Sequence, residues 1–249
     1  MLSRKNRRHI VLACVTLLAL QYAEAAAVAK ESNVFSRVWQ HGTGDLGSTL
    51  ASWPVVILIG GAITAACVAP FDDTLQSRFR AGRHLGRMDS IGDIVGGPFV
   101  VDGAAALLFG VGVLAHQSAL AATGEELSEA LVLTEMMAGG LKFIVNRDRP
   151  DGSKYSFPSA HAARLFAMAS VLEARHGPFL GIPAYLAAGA VAYTRLDANV
   201  HHVSDVIFGA ALGSAIGWGT AHFHAKAATK FFIAPIIGPA PGLMVSRSF

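Results

Sequence analysis

The sequence predicts an all-α fold, a helical bundle of about six core helices with a short irregular or β-like C-terminal tail. Hydrophobic residues make up 53% of the 249 residues and charged ones 15%, with a mean hydropathy of +0.46. A chain this long and this apolar closes a sizeable core without disulfides or metal, and is apolar enough for a membrane or envelope protein. Apolar segments recur at about 53–70, 95–117, 127–145, 161–172, 178–193 and 203–221, and their length and Ala/Leu/Gly content favour helices over strands. Neither a repeat nor a low-complexity linker divides them, so one domain is expected.

Residues 1–25 have the layout of a secretory signal: a basic start (Arg4, Lys5, Arg7, Arg8), an apolar run from Ile10 to Leu20, and small residues at Ala23 and Ala25. The run is shorter than the roughly 20 residues that span a bilayer, which favours cleavage, after Ala25, over anchoring. Export to the cell envelope follows, as a membrane-associated or periplasmic protein. Cys14 leaves with the signal, and Cys67, in an apolar stretch, is expected as a buried thiol without a disulfide partner.

Residues 26–52 read as a polar N-terminal segment and 53–230 as the helical domain. Within it, Thr123 and Glu126 read as a capping box opening the third apolar segment. Gly139 and Gly140 loosen that helix's packing or admit a close helix contact. The 161–172 segment is nearer a core helix than a span, and small residues dominate 203–221. Pro235, Pro239 and Pro241 punctuate residues 231–249, as in an extended or hairpin tail.

Asp102, Glu129, Glu135, Arg164, Glu173 and Asp205 interrupt or flank the apolar runs, so a soluble bundle and a membrane-spanning one both fit. Three true spans after an exported residue 30 leave the loop following residue 145 in the cytoplasm. An envelope-facing loop needs a different count. The cluster Arg78, Arg80, Arg83 and Arg87 fits a cytoplasmic loop and the solvated face of an amphipathic helix equally well. A net charge of +3, with basic residues in separate clusters and no interleaved aromatics, argues against nucleic acid as a partner. Neither a phosphate-cradling G-x-x-x-x-G-K-S/T loop nor a G-x-G-x-x-G turn occurs.

Three short stretches at expected helix ends concentrate the ionisable residues of an otherwise apolar second half. In the first, Lys142 and Arg149 fall on roughly one face of a continuing helix that Pro150 ends, so two cations point into one space. In the second, Ser156-Phe157-Pro158-Ser159-Ala160-His161 reads as a turn into a helix N-terminus, where exposed N–H groups and the Ser159 hydroxyl suit an anion and His161 is placed to protonate a leaving oxygen. In the third, Asp205 stands four residues after His201, at a spacing that lets a carboxylate orient an imidazole and make its other nitrogen a better nucleophile. Arg195, six residues earlier, offers a planar fork for phosphate oxygens. His202 is the rival to His201 but has valine at 206 in place of a carboxylate. Taken singly, Lys142 and Arg149 also read as solvated surface charges, His161 as a satisfied structural histidine, and His201 with Asp205 as a structural contact.

Taken together, the stretches resemble the signature of the type 2 phosphatidic acid phosphatase and vanadium haloperoxidase superfamily: K-x6-R-P at Lys142, Arg149 and Pro150, P-S-G-H at Pro158, Ser159 and His161, and S-R-x5-H-x3-D at Arg195, His201 and Asp205. Ala160 replaces the usual glycine and Thr194 the usual serine. Alanine keeps the backbone N–H provided φ stays negative, and threonine keeps a hydroxyl. The resemblance implies an all-helical phosphoric ester hydrolase that works through a phosphohistidine. His201 attacks phosphorus, Asp205 holds His201, and His161 protonates the departing oxygen. Lys142, Arg149, Arg195, Ser159 and the Ala160 backbone bind the phosphoryl oxygens. No metal or cofactor enters this scheme, and His222-x-His224, without further nearby ligands, reads as a solvated helix end. A phosphorylated lipid or a small phosphate ester is the expected substrate, with a lipid favoured by the apolar surroundings. The sequence does not specify an oligomeric state. Two alternatives follow from the same pocket: a vanadate-dependent haloperoxidase, and a non-catalytic membrane protein that binds a phospholipid.

Overall fold

The computed structural model describes residues 34–50, 52–81, 85–228, 231–236 and 242–247. The expected signal at 1–25, with Cys14 and the cleavage position, lies outside the described residues, as does Arg83. The chain divides into two units at His41/Gly42. In the first, the described residues from Val34 are helical, within α1 (Val34–Thr49). In the second follow α2 (Ser52–Val68), a single 3-10 turn (Ala69–Phe71), α3 (Asp72–Ala81), α4 (Arg87–Val95), α5 (Pro98–Leu114), α6 (Ser118–Val145), α7 (Ala160–His176), α8 (Pro178–Asp197), α9 (Val203–Ala228), and the strands β1 (Phe231–Ile236) and β2 (Gly242–Arg247). The expected helices correspond to α2 and α5–α9. α1, α3 and α4 were not foreseen, being too short or too polar for the apolar pattern to mark. The two strands pair antiparallel, Phe231 with Arg247 through Ile236 with Gly242, so the tail is a hairpin.

α7 is the central helix, packed against α6, α8 and α9, and Ala162, Ala163, Ala167, Ala169 and Val171 on it are fully buried. Helix α9 meets it along a stripe of glycines four residues apart. A Cβ at Gly213 would run into the Ala163 carbonyl oxygen, and one at Gly217 into that of Ala167. Such stripes let two backbones approach where side chains would hold them apart. Gly139 and Gly140, by contrast, have open space beside them among the described residues, so the close contact of α6 is not there but at Gly124, where a Cβ would run into the Phe109 backbone of α5.

The capping box expected at Thr123 and Glu126 is also absent. Helix α6 already begins at Ser118, so Thr123 lies inside it, its Oγ1 donating to Ala119 O (2.9 Å), and Glu126 pairs with Arg175. Alanines 119, 121 and 122 are strong helix formers that extend the helix back through a stretch too mixed to read as apolar. Cys67 is exposed on α2, not buried. That helix packs on one side against α9 and shows the rest of its surface, including Trp53, Ile59 and Ile63, to its surroundings.

Four helical stretches are long and apolar enough to cross a membrane: Trp53–Phe79, Arg87–Leu114, Pro178–Asp197 and Val203–Ala225. Together with the large apolar side chains exposed on α2, α5 and α8, they mark a membrane-associated protein. α2 runs antiparallel to α9, with Thr49 near Gly219, Gly61 near Ala211 and Asp72 near Ser204. The end of α2, the C-terminal ends of α6 and α8, and the N-terminal ends of α7 and α9 consequently gather at one end of the bundle.

Candidate active site

That end holds all three polar stretches. α6 stops at Asn146, which takes a left-handed conformation (φ 44) and donates its N–H to Lys142 O (2.9 Å). Asparagine tolerates this conformation better than most residues. The helix therefore does not continue to Pro150 as the spacing suggested, and Arg149 sits in the loop that follows. Lys142 Nζ donates to Tyr155 O (2.8 Å), and Arg149 keeps a buried Nε with no partner among the described residues. Both cations nevertheless lie near enough to His201 to weigh against its charged form.

Phe157–Pro158 is a cis peptide. Ser159, the N-cap of α7, is fully buried, donates its N–H to Asp205 O (3.1 Å), and leaves its Oγ with no partner among the described residues. An orphaned hydroxyl at a helix N-terminus suits an anion's oxygen. Ala160 is helical, the conformation in which its side chain is harmless and its N–H still points out of the helix start.

His201 precedes α9 rather than lying on it, in the turn after α8. Two contacts pin that turn from α3: Gln76 Nε2 donates to Asn199 Oδ1 (2.6 Å) and to Leu196 O (3.3 Å). His201 is 3% exposed, and burial, aided by Lys142 and Arg149, pushes its imidazole down to about 4. It is neutral at physiological pH, as a nucleophile must be. Its Nδ1 lies 3.8 Å from Asp205 Oδ2, on the side of the carboxylate but beyond hydrogen-bond length, so Nε2 is the ring nitrogen not turned to Asp205. His202, the sequence-level rival, turns its Nε2 to Asp148 O (3.3 Å).

Asp205 is fully buried and heavily engaged. Its Oδ2 accepts from Ser156 Oγ (2.5 Å) and from the His202 N–H (2.9 Å), and its Oδ1 accepts from Arg147 Nη1 (2.7 Å). Arg147 also donates to Asp72 Oδ2 (2.8 Å) and Ser204 Oγ (2.7 Å), while Asp72 accepts from the Ser204 N–H (3.1 Å) and hydroxyl. A guanidinium thus bridges two buried carboxylates and fixes the one behind the histidine.

His161 and Arg195 face α4. Arg195 Nη1 donates to Asp93 Oδ1 (2.6 Å) and Nη2 to Asp89 O (2.5 Å), while its Nε and Nη2 also reach Thr194 Oγ1 at 3.2 and 3.1 Å. His161 Nε2 lies 3.3 Å from Asp93 Oδ1 and 3.2 Å from Asp93 O.

The sequence named the charged groups but missed those that hold them: Asp72, Asp93, Arg147 and Ser156. Arg147 and Ser156 stood inside the motif stretches, where a polar side chain in an apolar protein was the available signal. Asp72 and Asp93 are remote in sequence and carried none. His224, expected as a solvated helix end, is half-buried, with Nε2 2.5 Å from Glu129 Oε2.

Residues 126–228, from within α6 to the end of α9, match the family model of the PAP2 superfamily. This segment is similar to the PAP2 superfamily. A stretch of 96 residues, 36% of the chain, is 35% identical to a lipid A 1-phosphatase from Porphyromonas gingivalis, but spans only 22% of that protein's length. The crystal structure of a transmembrane PAP2 type phosphatidylglycerolphosphate phosphatase from Bacillus subtilis superposes with a TM-score of 0.61 at 21% identity, covering 70% of this chain and 96% of that one. The PAP2 bundle is therefore the fold of this chain, extending beyond the segment that the family model matches.

Proposed function

We propose that the chain is a metal-independent phosphatase that hydrolyses a phosphate monoester or diphosphate, carried on a lipid, through a phosphohistidine on His201. The observation that carries this reading is the meeting, at one end of the bundle, of a buried neutral imidazole backed by a fixed carboxylate with an arginine, a lysine and an orphaned serine hydroxyl. A scaffold that only binds phosphate has no use for a neutral histidine held against Asp205, or for a second histidine beside it.

In the proposed reaction His201 Nε2 attacks phosphorus as the ester P–O bond breaks, and His161 gives its proton to the departing oxygen. Asp205 stabilises the positive charge that develops on His201 as the 3.8 Å gap at Nδ1 closes to a hydrogen bond. Water then gives a proton to His161 and attacks phosphorus, and the N–P bond breaks to release phosphate. Lys142, Arg149, Arg195, Ser159 and the N–H groups at the start of α7 stabilise charge on the equatorial oxygens, where catalysis of phosphoryl transfer chiefly resides. The apolar helices around the site, and the lipid phosphates on which the two relatives act, favour a lipid-linked substrate.

Phosphate release from a panel of lipid and soluble phosphates, by wild-type and His201→Ala protein in the presence of a chelator, tests the proposal. Release by wild type alone, unaffected by the chelator, is expected. Equal release by both proteins contradicts it, and vanadate-dependent bromide oxidation without phosphate release would replace it with the haloperoxidase reading.

A further inference from the structure

Asp93 is a conspicuous residue of this site with no part in the reaction as proposed. It comes from α4, which presses on the site with no space to spare. A Cβ at Gly92 would collide with Thr194, and one at Gly96 with the His161 ring and Val191. Glycine at both positions brings the backbone of α4 against α8 and α7 and fixes the point from which the Asp93 side chain projects. Its Oδ1 lies 2.6 Å from Arg195 Nη1 and 3.3 Å from His161 Nε2. The side chains of Arg195 and His161 are 4% and 20% exposed, whereas that of Asp93 is 66% exposed. The carboxylate thus stands at the mouth, between solvent and two groups that the proposed reaction requires on the phosphate.

A guanidinium proton bonded to Asp93 is not available to a phosphoryl oxygen, and a carboxylate at that position repels an incoming dianion. The same carboxylate anchors the ring that is to deliver a proton. We infer that Asp93 is a positioning residue that holds His161 in line for the leaving oxygen and competes with phosphate for Arg195, so that it weakens binding of the free product while it supports turnover. The inference rests on the phosphoryl site proposed above. It separates two quantities that a merely structural contact would move together.

The test compares wild type with Asp93→Asn and Asp93→Glu in detergent micelles, reading kcat, KM and inhibition by orthophosphate. Asp93→Asn keeps the shape and loses the charge. Orthophosphate should inhibit it roughly tenfold more strongly, the scale of one nearby like charge removed at a solvent-exposed mouth. Its kcat should fall roughly a hundredfold, the lower range for an impaired general acid. Asp93→Glu keeps the charge and should retain weak, wild-type-like inhibition by orthophosphate. Unchanged or weaker inhibition of Asp93→Asn overturns the inference, as does an Asp93→Glu protein that behaves like Asp93→Asn. Calorimetric titration of orthophosphate into His201→Ala protein, with and without Asp93→Asn, gives a readout that needs no turnover. Tighter binding by the double variant supports the role of Asp93 even if the wild type proves to have no phosphatase activity, and equal binding overturns it.

Discussion

His201 and Arg147 show how single side chains set the chemistry at this end of the bundle. Burial holds the His201 imidazole at about 4, below its ordinary 6.5, so between those values the unfolded chain binds a proton that the folded chain does not. Stability therefore falls as pH drops through that window, and His201→Gln should abolish this component of the slope. Denaturant titrations at pH 7 and pH 5 measure it, and parallel losses in the two proteins would contradict the assignment. The nucleophile stays neutral over the same range, so its own titration should limit phosphate release only as pH approaches about 4. Arg147 bridges Asp72 and Asp205, which are nearly inaccessible to solvent. Arg147→Ala leaves both charges uncompensated and should cost about 3 kcal/mol of stability, with a large fall in kcat because the carboxylate behind His201 is released. Adding Asp72→Asn should recover part of the stability. A fully stable, fully active Arg147→Ala protein would show that the bridge is incidental. Neither acid partner of Arg147 can be read from its own sequence neighbourhood, since Asp72 lies 75 residues before it and Asp205 58 after.

At the level of the helices, the six apolar ones were legible because each is a long run of residues with one chemical character. The site was legible because its charged residues interrupt such runs at the helix ends. What the pattern misplaced were boundaries and short polar elements. Asn146 ends α6 by adopting a left-handed conformation, a choice set by the whole loop and not by the residue alone. Helices α3 and α4 carry Asp72, Gln76, Asp89 and Asp93, and their composition resembles that of connecting loops until the bundle gives them something to bind. A close contact on α6 was expected at Gly139 and Gly140, yet α6 makes its close approach at Gly124, against α5, and the longest glycine stripe is on α9, where glycines recur every four residues and face the alanines of α7. Gly213→Leu should separate the two helices, and since α7 and α9 present Ser159, His161 and Asp205, it should reduce activity along with stability, by about 1–3 kcal/mol of overpacking. Gly139→Leu on α6, with open space beside the glycine, should change neither by a comparable amount. Thermal unfolding of the two variants in detergent makes the comparison.

For the molecule as a whole, connectivity fixes which helix ends share a side of the membrane. Ser52 lies at the end of the bundle opposite the candidate site, because α2 begins beside the far half of α9 and ends beside its start. If α2, α5 and α6 all cross the bilayer, residue 52 and the 146–159 loop lie on opposite sides. An envelope-facing site then requires residue 52 on the cytoplasmic side. Ser153, exposed in that loop, provides the probe. With Cys67→Ser as background, Ser153→Cys in intact cells should react with a membrane-impermeant maleimide, and protection until the cells are lysed would place the site in the cytoplasm. Sequence alone could not decide this point, because hydropathy counts candidate crossings without showing which helix ends meet.

The central claim is a covalent bond between phosphorus and His201, and it can be sought directly. Wild-type protein mixed with a phosphorylated lipid substrate, quenched in alkali within the first turnover and analysed by peptide mass spectrometry, should carry a phosphoryl group on the peptide containing His201. The adduct should be stable in base, labile in acid, and absent from His201→Ala protein. Phosphate release at the wild-type rate with no adduct at any point in the time course, or an adduct on another residue, would contradict the account.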